Sequence, residues 1–239
     1  MGSAGGPGKG AVVLFVDNSG KTFRSHRLAL ARAVGKAGFE VHAALPADGQ
    51  AGEEWPPEIK VHYYYLRRGS TNPYSELRTV AALLRLYRSL RPDLVHHLRL
   101  KPVMWGGLCA MAARVPGAVH QITGLGHVFT NGSHALRALV RLGLSLSLRH
   151  HNQRIVFQNS DDMNSFVRLG VVKPSESVLI QGSGVEVGRF RPTPEPEGPL
   201  LVVLPARMLV TKGVVEFVEA ARTLKQAGVG ARFALVGDV

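Results

Sequence analysis

One cysteine, Cys109, stands in 239 residues. A lone thiol excludes an intrachain disulfide and any zinc site built on several cysteines, and it suits a reducing compartment. No stretch reaches the ~18 consecutive apolar residues that a membrane-crossing helix needs, so no span is expected. Met1 to Gly10 is glycine-rich and polar, with no apolar signal core; residues 1–10 read as a disordered N-terminus. Acidic residues are scarce. Between Asp93 and Asp161 there are none, while that interval holds Arg99, Lys101, Arg114, Arg137, Arg141, Arg149 and Arg154. With a net charge of +12, the one-sided field favours an anionic partner: nucleic acid, anionic lipid or a phosphorylated substrate. Nucleic acid fits least, because aromatics for base stacking are few and no recognised reading module is present.

What is present alternates between short apolar runs and amphipathic stretches. Strands are expected at Ala11 to Val16, Phe39 to Leu45, Lys60 to Leu66, Leu94 to His97, Ala118 to Ile122, Arg154 to Gln158 and Val178 to Gln181. Between them, helices are expected at Arg24 to Gly38, Ser75 to Leu90, Val103 to Ala113 and Ser160 to Leu169. In the second of these, Leu77, Val80, Leu83, Leu84 and Tyr87 form the inward side; the last is capped by Asp161 or Ser160. Ala135 to His151 carries Val140, Leu142, Leu144, Leu146 and Leu148 at strand period, but its length and leucine content favour a helix. Four prolines between Arg191 and Pro199 read as a linker. Beyond it come a strand at Leu200 to Leu204, a helix at Val214 to Gln226 and a strand at Arg232 to Val236. The alternation predicts an α/β fold with a Rossmann-like parallel sheet over residues 11–191, a linker at 192–199, and the first strand–helix–strand of a second such domain at 200–239.

Ligands of such sheets bind at the carboxyl ends of strands, so the loops there carry the candidates. Arg207 and Lys212 follow the strand at Leu200 and precede a helix start at Gly213, an arrangement suited to phosphate. Asn18-Ser19-Gly20-Lys21-Thr22 resembles part of a phosphate loop, but Phe15 stands where its first glycine belongs, so ATP chemistry is disfavoured. His96, His97, Arg99 and Lys101 end another strand; alternation sends the two histidines to opposite faces, so at most one meets a cleft. Thr123, Gly124, Gly126 and His127 end the next, and Gly182, Gly184 and Glu186 end the last before the linker. The glycines permit close approach of backbone to ligand. No metal site is expected.

The motifs Phe23-x-x-His26-Arg27-Leu28, Val41-His42-Ala43-Ala44-Leu45-Pro46, Arg91-Pro92-Asp93-Leu94-Val95-His96, Lys101-Pro102-Val103, Thr123-Gly124-Leu125-Gly126, Val156-Phe157-Gln158-Asn159, Gly182-Ser183-Gly184-Val185-Glu186 and Arg207-x-x-x-x-Lys212-Gly213 occur in that order. Together they resemble the retaining glycosyltransferases of family 4, with the two-Rossmann GT-B fold, and most of all the subgroup that builds capsule, O-antigen or glycoprotein glycans on a polyprenyl-diphosphate carrier. The resemblance implies transfer of a sugar from a nucleotide-sugar donor, UDP-linked, with retention of configuration and no cofactor or metal. It implies that Arg207, Lys212 and Gly213 hold the donor diphosphate, that Gly182, Gly184 and Glu186 shape the donor side of the cleft, and that Ser19, Gly20, Lys21, His96, Lys101, Thr123, Gly124 and Gly126 lie on its acceptor side. It further implies a cytoplasmic protein resting peripherally on the anionic inner face of the cell membrane. Two departures stand out. Many relatives have histidine at the place of Thr123, for which His127 is the candidate substitute. Relatives also carry a Glu-x7-Glu pair for the donor sugar and ribose, in a region past Val239. The chain is therefore expected to be a C-terminally truncated fragment, inactive alone. The alternative is a non-catalytic acceptor-binding subunit completed by a second chain.

Overall fold

The apolar run after Ala11 forms β1 (Val12–Val16), an interior strand of a seven-stranded sheet. The computed structural model describes residues 10–47, 54–124, 134–188, 190–195 and 197–237, with the side chains of 134–136 excepted. The expected disorder of the N-terminus falls almost wholly outside them. The other strands are β2 (Glu40–Pro46), β3 (Ile59–Tyr64), β4 (Leu94–Leu98), β5 (Gly117–Ile122), β6 (Gln153–Phe157) and β7 (Ser177–Leu179). Their order is β3-β2-β1-β4-β5-β6-β7, and every pair is parallel. The chain builds outward from β1 in one direction, then returns to lay β4 on its other side. The loops leaving β1 and β4 therefore diverge, which opens a crevice at their carboxyl ends.

Both faces of the sheet are covered, which is why its strands are nearly all apolar. Val13 and Phe15 of β1 pack with Phe23, Ala31, Val41 and Leu98 on one face. Leu14 and Val16 pack with Leu83, Tyr87, Val95 and Ala110 on the other. A third cluster joins Ile155 and Phe157 to Val140, Leu144 and Phe166.

Four elements differ in detail from the sequence reading. The helix expected at Arg24 is two: α1 (Gly20–His26), whose first turn Ser19 caps by accepting from the Thr22 N–H, and α2 (Leu28–Lys36). They break at Arg27 (φ −124°, ψ −17°), whose buried side chain lies in the electrostatic reach of Asp17; burial of this polar pair overrides helical periodicity. In α3 (Pro73–Leu90) the buried stripe is Ser75, Thr79, Leu83 and Tyr87, and Leu77 is exposed. At roughly 100° per residue Leu77 sits about 120° around from Leu83, off the stripe. The helix expected from Val103 begins as a π-helical turn, Pro102–Gly106, before α4 (Gly107–Ala112). A side chain at Gly106 would meet the His97 ring, so the wider turn and the glycine go together. Finally, α6 (Ser160–Arg168) is capped by Asn159, which accepts from the Asp162 N–H at 2.7 Å, not by Ser160 or Asp161.

The ambiguous leucine-rich segment is helical, α5 (His134–Ser147). Val140 and Leu144, with Leu148 just beyond, are buried; Leu139, Leu142 and Leu146 are exposed. Leucine on two faces of one helix produces the strand-like period in the sequence.

The chain forms two compact units, Met1–Glu186 and Val187–Val239. The second holds β8 (Leu200–Pro205), α7 (Val214–Gln226) and β9 (Ala231–Val236), with β8 and β9 parallel. None of its described residues is buried. Among the described residues no helix is long and apolar enough to cross a membrane.

Candidate functional site

The first charge after the apolar β1 is Asp17, and it is 1% exposed. Its backbone is held by the Ala44 carbonyl (3.1 Å) and by the Tyr64 hydroxyl, which donates to the Asp17 carbonyl at 3.0 Å. Oδ1 accepts from the Asn18 N–H at 2.7 Å, and Arg99 Nε lies 3.6 Å from the same oxygen. Arg99 follows β4 in the left-handed region, φ 73°, a conformation costing a non-glycine residue on the order of 1 kcal/mol. Two bonds hold it there: its N–H donates to the Gln121 carbonyl at 3.0 Å, and its carbonyl accepts from the Val103 N–H at 2.9 Å. Arg27 comes in from the α1–α2 break, 7% exposed.

Around these three lie Thr22 and His26 of α1, Leu98, Thr123 after β5, Gln158 after β6 and Ser183 after β7. They enclose a cavity of about 60 Å³ at the carboxyl ends of the strands, beside the point where the strand order reverses. Such a crevice is where open parallel sheets take their ligands. Burial pushes the Asp17 carboxyl up to about 6, against the opposing pull of Arg99, the Asn18 N–H, Arg27 and the Ser19 N–H. Burial also lowers the Arg27 value; Asp17 opposes this and Arg99 reinforces it.

The two histidines of β4 do point to opposite faces. His96 stacks near Phe15, centroids 5.2 Å apart, with Nε2 lacking a partner among the described residues. Burial, and then the Arg27 charge, press its value down to about 4, against a hydrogen bond with Gln121. His97 bonds the Tyr87 hydroxyl (2.8 Å) and lies 3.2 Å from His120 Nδ1 on the other face. Burial holds it well below its ordinary value, so it is a neutral core group. Neither ring lines the cavity.

Of the other sequence candidates, Thr123 lines the cavity and Gly124 adjoins it. Ser19 and Gly20 are buried at the start of α1, Lys21 is exposed, and Thr22 reaches the cavity in their place. Lys101 is turned elsewhere: its ammonium donates to Glu76 (2.6 Å) and to the Arg67 and Ser70 carbonyls, while Glu76 also accepts from the Trp105 indole. That arrangement pins the end of β4 to the start of α3. Gly182 (φ 68°) and Gly184 (φ 71°) form a left-handed turn that glycine adopts without strain. The Gln158 amide grips it through the Gly182 carbonyl and Ser183 Oγ, both at 3.2 Å, which sets Ser183 into the lining. Glu186 is exposed at the end of the first unit. Gly126 and His127 lie outside the described residues. In the second unit, Arg207 and Lys212 are exposed between β8 and α7, and neither has an ion pair among the described residues. Gly213 (φ 78°) is the N-cap of α7, and no side chain caps that helix.

Arg27 and Gln158 stand inside two of the family motifs, but the motifs assign neither a role in the site, and Asp17 stands in none; the further signal for Asp17 and Gln158 is that each sits just past the carboxyl end of a strand. Among the described residues no group of three or more His, Cys, Asp or Glu is placed to hold a metal ion.

Comparison with known proteins gives a consistent picture. The model of the glycosyl transferase 4-like family matches residues 12–159. A curated relative from Campylobacter jejuni, N,N'-diacetylbacillosaminyl-diphospho-undecaprenol alpha-1,3-N-acetylgalactosaminyltransferase, is 26% identical over 239 aligned positions covering 93% of this chain. The chain spans 62% of that relative's length. Among solved structures, Anabaena HepE in complex with UDP and glucose superposes with a TM-score of 0.64 at 13% identity, over 94% of this chain and 69% of that one. Sucrose-phosphate synthase from Thermosynechococcus elongatus gives 0.62 at 14% identity, over 96% and 71%. At these identities the two structures speak to the fold alone.

Proposed function

The chain belongs to the glycosyl transferase 4-like family, and from that premise we propose that it supplies the acceptor side, and the start of the donor side, of a retaining glycosyltransferase. The donor is a nucleotide-sugar, UDP-linked, and the acceptor a glycan on a polyprenyl diphosphate. The observation that carries this reading is the cation-lined cavity at the strand-order reversal of a family-matched sheet. The name of the Campylobacter relative, which places its acceptor on undecaprenyl diphosphate, supports the acceptor class.

Arg207 and Lys212 take the donor diphosphate. Both are exposed, neither has an ion pair among the described residues, and α7 offers them a helix start that no side chain caps. As the sugar leaves, charge grows on that diphosphate, and fixed cations stabilise it without a metal. The 239 residues alone do not turn over. Among its described residues the second unit has two strands and none that is buried, too little sheet to hold a diphosphate clamp rigid.

The protein works against the cytoplasmic face of the membrane. The exposed Leu139, Leu142 and Leu146 of α5, with Arg141 and Arg149 exposed nearby, match an interfacial helix that meets anionic lipid.

The test is a transfer assay with a panel of UDP-sugars and a polyprenyl-diphosphate-linked acceptor. Residues 1–239 are compared with the same chain extended by its downstream coding sequence. Product only from the extended form, with the donor's anomeric configuration retained by NMR, is expected. Multiple turnover by residues 1–239 alone would overturn the claim of inactivity. No transfer by either form, with acceptor binding intact, would favour a non-catalytic acceptor-binding subunit.

A further inference from the structure

We infer that the cavity between Arg27 and Arg99 is a phosphate subsite of the first unit, taking one phosphate group of a substrate between the two guanidiniums. The subsite stands on the geometry; the choice of which substrate brings the phosphate rests on the glycosyltransferase reading.

Arg27 is 7% exposed and lines the cavity; its backbone is bonded within the helices, but its guanidinium makes no hydrogen bond or close ion pair among the described residues and only feels the nearby Asp17 charge. A buried guanidinium with unfilled N–H groups is costly, so a fold that keeps one leaves it for an incoming acceptor. Arg99 lines the same cavity and is held at φ 73° by backbone bonds on both sides. Its one ion pair among the described residues, 3.6 Å to Asp17 Oδ1, is longer than a hydrogen bond and engages only Nε. Its terminal N–H groups are therefore left to the cavity. Two cations thus face one carboxylate, and the excess positive charge is relieved when an anion enters.

Size and chemistry narrow the anion. About 60 Å³ is well below the ~300–1,000 Å³ that encloses a whole drug-sized ligand. The space suits one tetrahedral group with the rest of its molecule outside. Thr123 and Ser183 bring hydroxyls to the lining that can donate to phosphate oxygens, while the Thr22 hydroxyl donates to Ser19 Oγ and the Gln158 amide to the Gly182 carbonyl and Ser183 Oγ, so these two shape the lining. Arginine pairs are the side chains that grip phosphate through two parallel N–H bonds. Asp17 is a positioning residue: its carboxylate repels the anion but keeps Arg99 Nε turned inward.

Calorimetric titration of the 239-residue chain at low salt, with inorganic pyrophosphate as probe, tests this. Wild type is compared with Arg27→Gln, Arg99→Gln and the exposed control Arg88→Gln. About tenfold or greater weakening is expected in each cavity variant and none in the control. Arg99 is partly exposed, so Arg99→Gln with a wild-type melting curve keeps the test valid where Arg27→Gln misfolds. Repeating the titrations with UDP and with farnesyl diphosphate assigns the source: the ligand weakened by Arg99→Gln is the one whose phosphate enters. Equal pyrophosphate affinity in wild type and Arg99→Gln, or equal loss in Arg88→Gln, overturns the subsite. Transfer activity is read separately: transfer with unchanged anion binding in Arg99→Gln sinks the subsite alone. Anion binding lost in Arg99→Gln, with no transfer by any form, sinks only the enzymatic reading.

Discussion

Asp17→Asn should change how the first unit's stability depends on pH. The buried carboxyl keeps its proton in the fold up to about 6, whereas the unfolded chain releases it near the ordinary 3.8. Between those values the folded state binds more protons than the unfolded state, so stability falls as pH rises through the window. The gap amounts to about 3 kcal/mol at 1.36 kcal/mol per pH unit, fully developed above about pH 7. Asn has nearly the same shape and does not ionise. The two proteins should therefore match near pH 4, and the variant should gain on wild type by about 3 kcal/mol by pH 7.5. Urea unfolding followed by tryptophan fluorescence measures this. Both tryptophans, Trp55 and Trp105, belong to the first unit, so the signal reports that unit alone. Other groups titrate in both proteins and cancel in the difference. A difference that stays constant from pH 4 to 7.5 would show that Asp17 is already well solvated or fully paired, and that the buried-charge account of the cavity is wrong.

Gly106→Ala should destabilise the first unit by about 1–3 kcal/mol, because its Cβ would clash with the His97 ring, which is already bonded to Tyr87; an unchanged urea midpoint would sink this. In the active form, Arg207→Ala or Lys212→Ala should each lower kcat/KM by the equivalent of about 2–4 kcal/mol, and wild-type rates in both would mean the two cations are only solvated. Co-sedimentation with anionic vesicles should fall as salt rises, each exposed cation near the surface being worth about 1 kcal/mol, and Leu142→Ser in the exposed face of α5 should weaken it further. Equal binding to neutral vesicles would refute the electrostatic part.

The sequence by itself determined the alternation and hence the sheet. The run Val12–Val16 is apolar on both faces because both faces are covered, and that pattern is written locally. The opposite facing of His96 and His97 was equally legible, since it follows from strand pleat alone. The family motifs marked the strand ends where a ligand is expected. What only the tertiary structure decided is which polar residues converge. Arg99 is far from Asp17 and Arg27 in the chain and meets them because β1 and β4 are neighbours in the sheet. Nothing near Lys101 in sequence shows that Glu76 claims it, twenty-five residues away. Periodicity reports how a segment meets the core, one segment at a time. Burial of a charge and its pairing depend on several segments at once, so Arg27 breaks a helix that its own sequence would have continued.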